Sequence, residues 1–233
     1  MELQRTPDWY ADRLGKFTAS EFHKLFASGR RDMTEEELAA EKAKGGKRKT
    51  IDTLFGATAL SYIDFKITEI LTNGTGCDYG FQGNKATEWG EYWEPIAKEK
   101  YIEECGTHIE PCGFINIAER FGGSPDGLID NGHIEIKCPF NPENHIQNLW
   151  LKNAQDLKEK HFEYYIQCQV NLIAVGGVEC KFVSFDPRMQ NEKFQMKIIY
   201  IERDEEIIKE IWERYREALK ILKEKINQLF ESI

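Results

Sequence analysis

The segment Ser124-Pro125-Asp126-Gly127-Leu128, followed by Glu135-Ile136-Lys137, constrains the chain more than any other, because it reads as two short strands joined by a tight turn. Leu128-Ile129 and Ile134-Ile136 flank Asn131-Gly132, a dipeptide suited to the two positive-φ positions of a type I′ hairpin turn. With those two residues as the loop, Asp130 opposes His133, Leu128 opposes Glu135 and Asp126 opposes Lys137. Directly opposed residues share a face of a sheet. Asp126, Glu135 and Lys137 therefore point the same way, with Asp126 and Glu135 diagonal neighbours about 7–8 Å apart at Cα.

Two carboxylates on one face repel each other, and a hard divalent cation with oxygen ligands resolves the repulsion while retaining water positions. Mg2+ suits that donor set, and Mn2+ is accepted by the same ligands. Such an ion activates water and stabilises charge on a phosphoryl oxygen, while a neighbouring Lys137 orients or helps deprotonate the nucleophile. These residues alone leave a second reading open, an ordinary hairpin with a salt bridge on its exposed face. Upstream, Trp89, Trp93, Ile96, Ala97 and Tyr101 recur at helical spacing. Glu94 lies on the edge of that stripe and Glu91 on the opposite side, so Glu94 is the acid directed inward and Glu91 the solvated one. Pro95 removes a backbone donor, which predicts that the helix starts near Glu91 or kinks.

An acid on a helix, then Pro-Asp, a spacer and Glu-x-Lys, resembles the PD-(D/E)xK nuclease superfamily. Within it the chain is similar to the phage lambda exonuclease, or YqaJ-type viral recombinase, family. The matching blocks run in order from residue 9 to residue 205: Trp9 with Arg13-Leu14-Gly15 and Thr18-Ala19-Ser20; Trp89-Gly90 with Glu94; Ser124 to Leu128; Glu135 to Phe140; Gln167 with Gln169; Asp186-Pro187-Arg188-Met189; and Glu202 to Glu205.

The resemblance implies an α/β fold, a restriction-endonuclease-like core with a mixed central sheet flanked by helices. It implies digestion of the 5′-ended strand of linear double-stranded DNA to leave a 3′ overhang for a single-strand annealing protein, by a ring-shaped homotrimer. It also assigns roles. Asp126, Glu135 and the main-chain carbonyl of Ile136 would hold Mg2+, Lys137 would act on the water, and Glu94 would assist through the ion or its waters. Arg13, Ser20, Ser124 and Gln167 would receive a terminal 5′-phosphate, for which guanidinium, hydroxyl and amide donors are suited. Without the resemblance, Arg13 reads as a surface cation, Ser20 as a helix N-cap and Gln167 as a sheet-edge amide. Two departures stand out: Thr87-Glu88 occupies the place of an apolar wedge before Trp89, and Pro95 directly follows Glu94.

The 233 residues, 41% of them hydrophobic, are enough for one substantial core, and a single domain is expected. It divides into an N-terminal helical part over 1–80, a nuclease core over 81–203 and a C-terminal helix over 204–233. No apolar run precedes Trp9 and none approaches a membrane span, so a cytoplasmic protein is expected, and the resemblance implies one of a phage or prophage. Six scattered cysteines form no Cys-x-x-Cys pair, which disfavours a zinc ribbon, an iron–sulfur site or a disulfide framework. The net charge of −9 does not oppose DNA binding, which depends on the local field. The dense positive segment contains Lys47, Arg48 and Lys49, either a solvated loop or one that tracks the DNA backbone.

The periodicity predicts helices over 7–28, 34–44, 50–72 and 160–175, a Gly-rich turn over 73–80, and strands over 107–118, 126–130, 133–138, 179–186 and 194–202. From Asp204 onward, Ile208, Ile211, Tyr215, Leu219, Leu222, Ile226 and Leu229 predict a long amphipathic helix. Two other functions use the same features: a structure-specific or restriction-like endonuclease, which needs no free end, and a noncatalytic DNA-end-binding scaffold.

Overall fold

A central strand buried along its length organises the molecule, seen in a computed structural model that describes residues 4–77 and 85–232. Strand-forming sequence over 127–137 yields β6 (Gly127–Ile129) and β7 (Gly132–Lys137), and the mixed sheet runs β6-β7-β8-β9 with β8 at Glu179–Phe185 and β9 at Met196–Glu202. Strands β6 and β7 are antiparallel, β7 and β8 parallel, and β8 and β9 antiparallel. The parallel step needs a crossover, supplied by α5 (Pro142–Leu149), α6 (Ala154–Lys160) and α7 (Phe162–Val175).

Period-two alternation assigns the faces. Cys180, Phe182, Ile199 and Ile201 join the core formed with α3 (Ala57–Thr72), α7 and α8 (Glu205–Glu231). Ile134, Ile136, Val183 and Phe185 pack instead with Ala97 and Tyr101 of α4 (Lys85–Cys105). Helices therefore cover both faces, and the α/β architecture expected from sequence is observed.

The hairpin carries the first correction. Observed pairs are Gly127 with Ile134, Leu128 with His133 and Ile129 with Gly132, so Asp130-Asn131 forms the turn and no turn residue has positive φ. Gly132 serves the sheet: a Cβ there would lie 1.8 Å from the carbonyl oxygen of Glu179 on β8. Moving the loop by one residue changes each pairing by two, which preserves the faces. Asp126 lies just before the paired residues of β6, and its amide donates to Ile134 O at 3.2 Å, which ties it to β7.

The helix expected over 7–28 is replaced by α1 (Pro7–Arg13), β1 (Phe17–Thr18), a 3-10 turn at Phe22–Phe26 and β2 (Gly29–Asp32). Gly15 at φ +67° breaks the helix after Arg13, and β1 pairs in parallel with β5 (Phe121–Gly123). Ser20 caps no helix, because the 3-10 turn has no side-chain cap. Sequence pattern also missed β5, α5 and β3 (Thr50–Thr53); β3 pairs with β2 around α2 (Glu35–Ala43). The strand expected over 107–118 shrinks to β4 (Ile115–Ala118), apart from a bridge between Glu110 and Leu128.

Helix α4 continues through Pro95, so the start near Glu91 is not observed. The Gly-rich turn is present from Asn73 to Gly76, and its residues 78–80 lie outside the described residues. Helix α8 begins where Asp204 accepts the amide of Ile207 at 3.1 Å. It buries Ile208, Ile211, Tyr215 and Leu222, while Leu229 is exposed. Among the described residues, no helix is long and apolar enough to cross a membrane.

Candidate active site

Strand β7 presents Glu135 and Lys137 to α7, and Glu135 is fully buried. A buried carboxylate is stable only when charge-assisted donors replace water. Here Lys137 Nζ donates to Oε1 at 2.7 Å and Gln167 Nε2 donates to the same oxygen at 2.6 Å. Asn171 Nδ2 donates to Oε2 at 3.0 Å. Gln167 and Asn171 stand four residues apart on α7, so one helix face supplies both amides. Lys137 also donates to Gln167 Oε1 at 3.1 Å and lies over the Tyr164 ring, 5.3 Å from its centroid. Burial acts to lower the Lys137 pKa, but Glu135 and Asp126 outweigh it and raise it, leaving an ammonium at neutral pH.

Asp126 is pinned from β7. Its Oδ2 accepts the Ile136 amide at 2.7 Å, and its own amide donates to Ile134 O at 3.2 Å. Burial raises its pKa well above its ordinary value, and the charges of Glu135 and Glu94 add to this against Lys137. Glu94 reaches the site from α4. It accepts Arg5 Nη2 at 2.7 Å, and Lys98 Nζ lies 3.9 Å from its other oxygen. Lys98 in turn donates to Asp126 O at 2.7 Å. Glu91, expected to be solvated, also lines the cleft and lies 3.5 Å from Arg5.

One cleft of about 320 Å³ collects Glu94, Asp126, Glu135, Ile136 and Lys137 together with Arg13, Ser20, Ser124 and Gln167. Arg13 stacks 4.1 Å from the Trp9 ring centroid, and among the described residues no carboxylate lies within ion-pair distance of it. Ser20 is exposed, 3.5 Å from Thr18 Oγ1. Ser124 has partners already: Trp9 Nε1 donates to its hydroxyl at 2.8 Å, and the hydroxyl donates to Gly113 O at 3.1 Å. Its contribution here is to fix the indole that supports Arg13. Gln167 bridges Glu135 and Lys137.

The basic loop does not line this cleft. Lys47, Arg48 and Lys49 border a separate groove with Met33, Leu38 and Lys42, and Arg48 pairs with Glu41 at 3.0 Å. Pattern reading missed Arg5 and Asn171, because the carboxylates they bond, Glu94 and Glu135, lie far away in sequence. It noted Asp186 to Met189 without a role. Arg188 donates to Asp186 at 2.7 Å, to Pro139 O at 3.0 Å and to Phe140 O at 2.9 Å, and stacks 4.2 Å from Trp89. It thereby clamps the segment leaving Lys137 against β8 and α4. In that segment, burial and then Glu94 push the Cys138 thiol up to about 12, so it stays protonated.

Among the described residues, no three His, Cys, Asp or Glu side chains form a ready-made metal cage. The donor chemistry nevertheless fits a hard divalent cation. Asp126 is destabilised as an anion first by burial and then by the carboxylates of Glu135 and Glu94, and positive charge beside them would relieve this.

A family model described as the YqaJ-like viral recombinase domain matches residues 8–179. The crystal structure of an alkaline exonuclease, LHK-Exo from Laribacter hongkongensis, is 31% identical over 97% of both chains with a TM-score of 0.74. Its complex with dAMP gives 0.75 at the same identity and coverage. A phage-related exonuclease from Haemophilus somnus 129PT shares the fold, with a TM-score of 0.66 and 19% identity over 92% of this chain and 96% of that one. No curated protein sequence matches significantly.

Proposed function

The chain belongs to the YqaJ-like viral recombinase family, and on that premise we propose that it is a Mg2+-dependent exonuclease that degrades the 5′-ended strand of linear double-stranded DNA. The observation that carries this reading is the cleft joining Glu94, Asp126 and Glu135 with the Lys137 ammonium and the Arg13 guanidinium. The alkaline exonuclease at 31% identity, with dAMP bound in one structure, supports nuclease chemistry at a DNA end.

Asp126, Glu135 and the Ile136 carbonyl would hold the cation. Lewis-acid stabilisation of the phosphoryl charge is the chemistry such a cation supplies. Lys137, restrained by Glu135 and Gln167, points a fixed ammonium at the cleft, where it orients the attacking water by hydrogen bonding. Glu94 adds negative charge from α4, and Arg5 and Lys98 limit its repulsion of Asp126. Arg13, supported on Trp9, and Ser20 supply donors for a terminal phosphate in the same cleft. An anchored end explains initiation at a terminus. The 3′ overhang would pass to a single-strand annealing protein, and a homotrimer belongs to the same reading.

The test is digestion of 5′-phosphorylated linear duplex and covalently closed circular duplex with Mg2+, with Lys137→Ala run alongside. The expected result is loss of the 5′-ended strand of the linear duplex only, abolished in the variant. Cleavage of the circle would establish an endonuclease, and binding without cleavage a scaffold.

A further inference from the structure

Glu135 has two carboxylate oxygens with different supports. Oε1 is held by Lys137 and Gln167, both of which line the cleft. Oε2 is held from behind by Asn171 Nδ2 at 3.0 Å, its one donor among the described residues. We infer that Asn171 is a positioning residue that fixes the orientation of Glu135 for cation binding, an inference that rests on the nuclease reading above.

Two further observations set Asn171 apart from a packing residue. First, it is fully buried, and its Oδ1 finds no hydrogen-bond partner among the described residues. A buried amide oxygen without a donor is unfavourable, so an apolar side chain would suit packing better. Reversing the amide would set its oxygen against a carboxylate oxygen, which keeps the NH2 group on Glu135. Second, the space for that amide is left by Gly123 on β5. A Cβ at Gly123 would lie 2.4 Å from Asn171 Oδ1 and 3.3 Å from Ala174 Cβ. Gly123 has no positive φ, so its backbone does not require glycine, whereas the room for Asn171 does.

Held this way, Glu135 cannot rotate about its terminal bond without losing a hydrogen bond at each oxygen. A ligand carboxylate restrained by an outer partner is prepaid in orientation. Loss of Asn171 would free Oε2 inside a dry site and let Glu135 turn toward Lys137.

The experiment is an Mn2+ titration of the full chain followed by electron paramagnetic resonance of the free ion, with thermal melting and duplex degradation measured on the same preparations. Asn171→Leu keeps the branched shape and removes the donor. Its Mn2+ affinity is expected to fall about 10- to 100-fold, with degradation reduced in step, while it melts cooperatively and binds duplex ends in EDTA as the wild type does. Wild-type Mn2+ affinity in folded Asn171→Leu overturns the inference and leaves the nuclease reading intact. If Asn171→Leu does not fold, Gly123→Ala decides, because its methyl displaces the amide without removing it. Weakened Mn2+ binding then supports the inference, and unchanged binding overturns it. A wild-type chain that neither binds Mn2+ nor degrades linear duplex defeats the nuclease reading and the inference together.

Discussion

Lys137 and Lys49 are both cations that a nucleic-acid phosphate could use, yet one sits at the end of a buried strand and the other on an exposed loop beyond α2. Lys137 is held by Glu135 and Gln167 and is only 23% exposed. In the loop, Arg48 has an exposed side chain and is paired with Glu41. Density of charge along the chain is thus a poor guide to where the fold restrains a charge. Exposed pairs are screened and contribute little, whereas a charge restrained in a partly dry cleft keeps its direction and its field.

The largest expected effect comes from Glu135→Gln, which removes the buried anion while keeping the shape. Degradation of linear duplex should fall by at least about 100-fold at any salt concentration, since loss of an outer partner alone costs 10- to 100-fold. Retained activity would break the contrast on the cleft side.

An intermediate effect is expected at the Asp186–Arg188 clamp, and it depends on pH. Burial acts to raise the Asp186 pKa, but its bonds to Arg188 outweigh that and hold it below the ordinary value. A carboxyl with a lowered folded pKa stabilises the fold above its unfolded pKa and loses that contribution as pH falls through the folded one. Asp186→Asn should therefore lower the melting temperature by several degrees at pH 7, with the difference closing below about pH 4. A gap that does not change with pH would count against the charged clamp.

The smallest effect is expected from replacing Lys47, Arg48 and Lys49 together with Ala. Degradation should fall by less than about tenfold at physiological ionic strength and become less sensitive to added salt. A loss matching that of Glu135→Gln would collapse the distinction between the two regions.

How the site was legible follows from the geometry of its elements. Asp126, Glu135 and Lys137 lie on one short hairpin, where period-two alternation sets the face and survives an even shift in register. The helix carrying Glu94 and the long helix α8 were likewise written in local periodicity. The segment after α1 was not, because β1 exists only by pairing with β5 about a hundred residues away. The turn was misread for a related reason. Gly132 reports the approach of Glu179, a contact that no hairpin sequence contains.

By itself, then, the sequence determined which charged side chains meet in the cleft, since backbone period and side-chain type bring Asp126, Glu135 and Lys137 together at one hairpin. Only the tertiary structure decided how that chemistry is held. The crossover brings Gln167 and Asn171 of α7 onto Glu135, the chain entry brings Arg5 onto Glu94, and Gly123 makes room for the Asn171 amide. These contacts join residues distant in sequence, and their strength comes from burial, which is a property of the assembled fold and not of any local pattern.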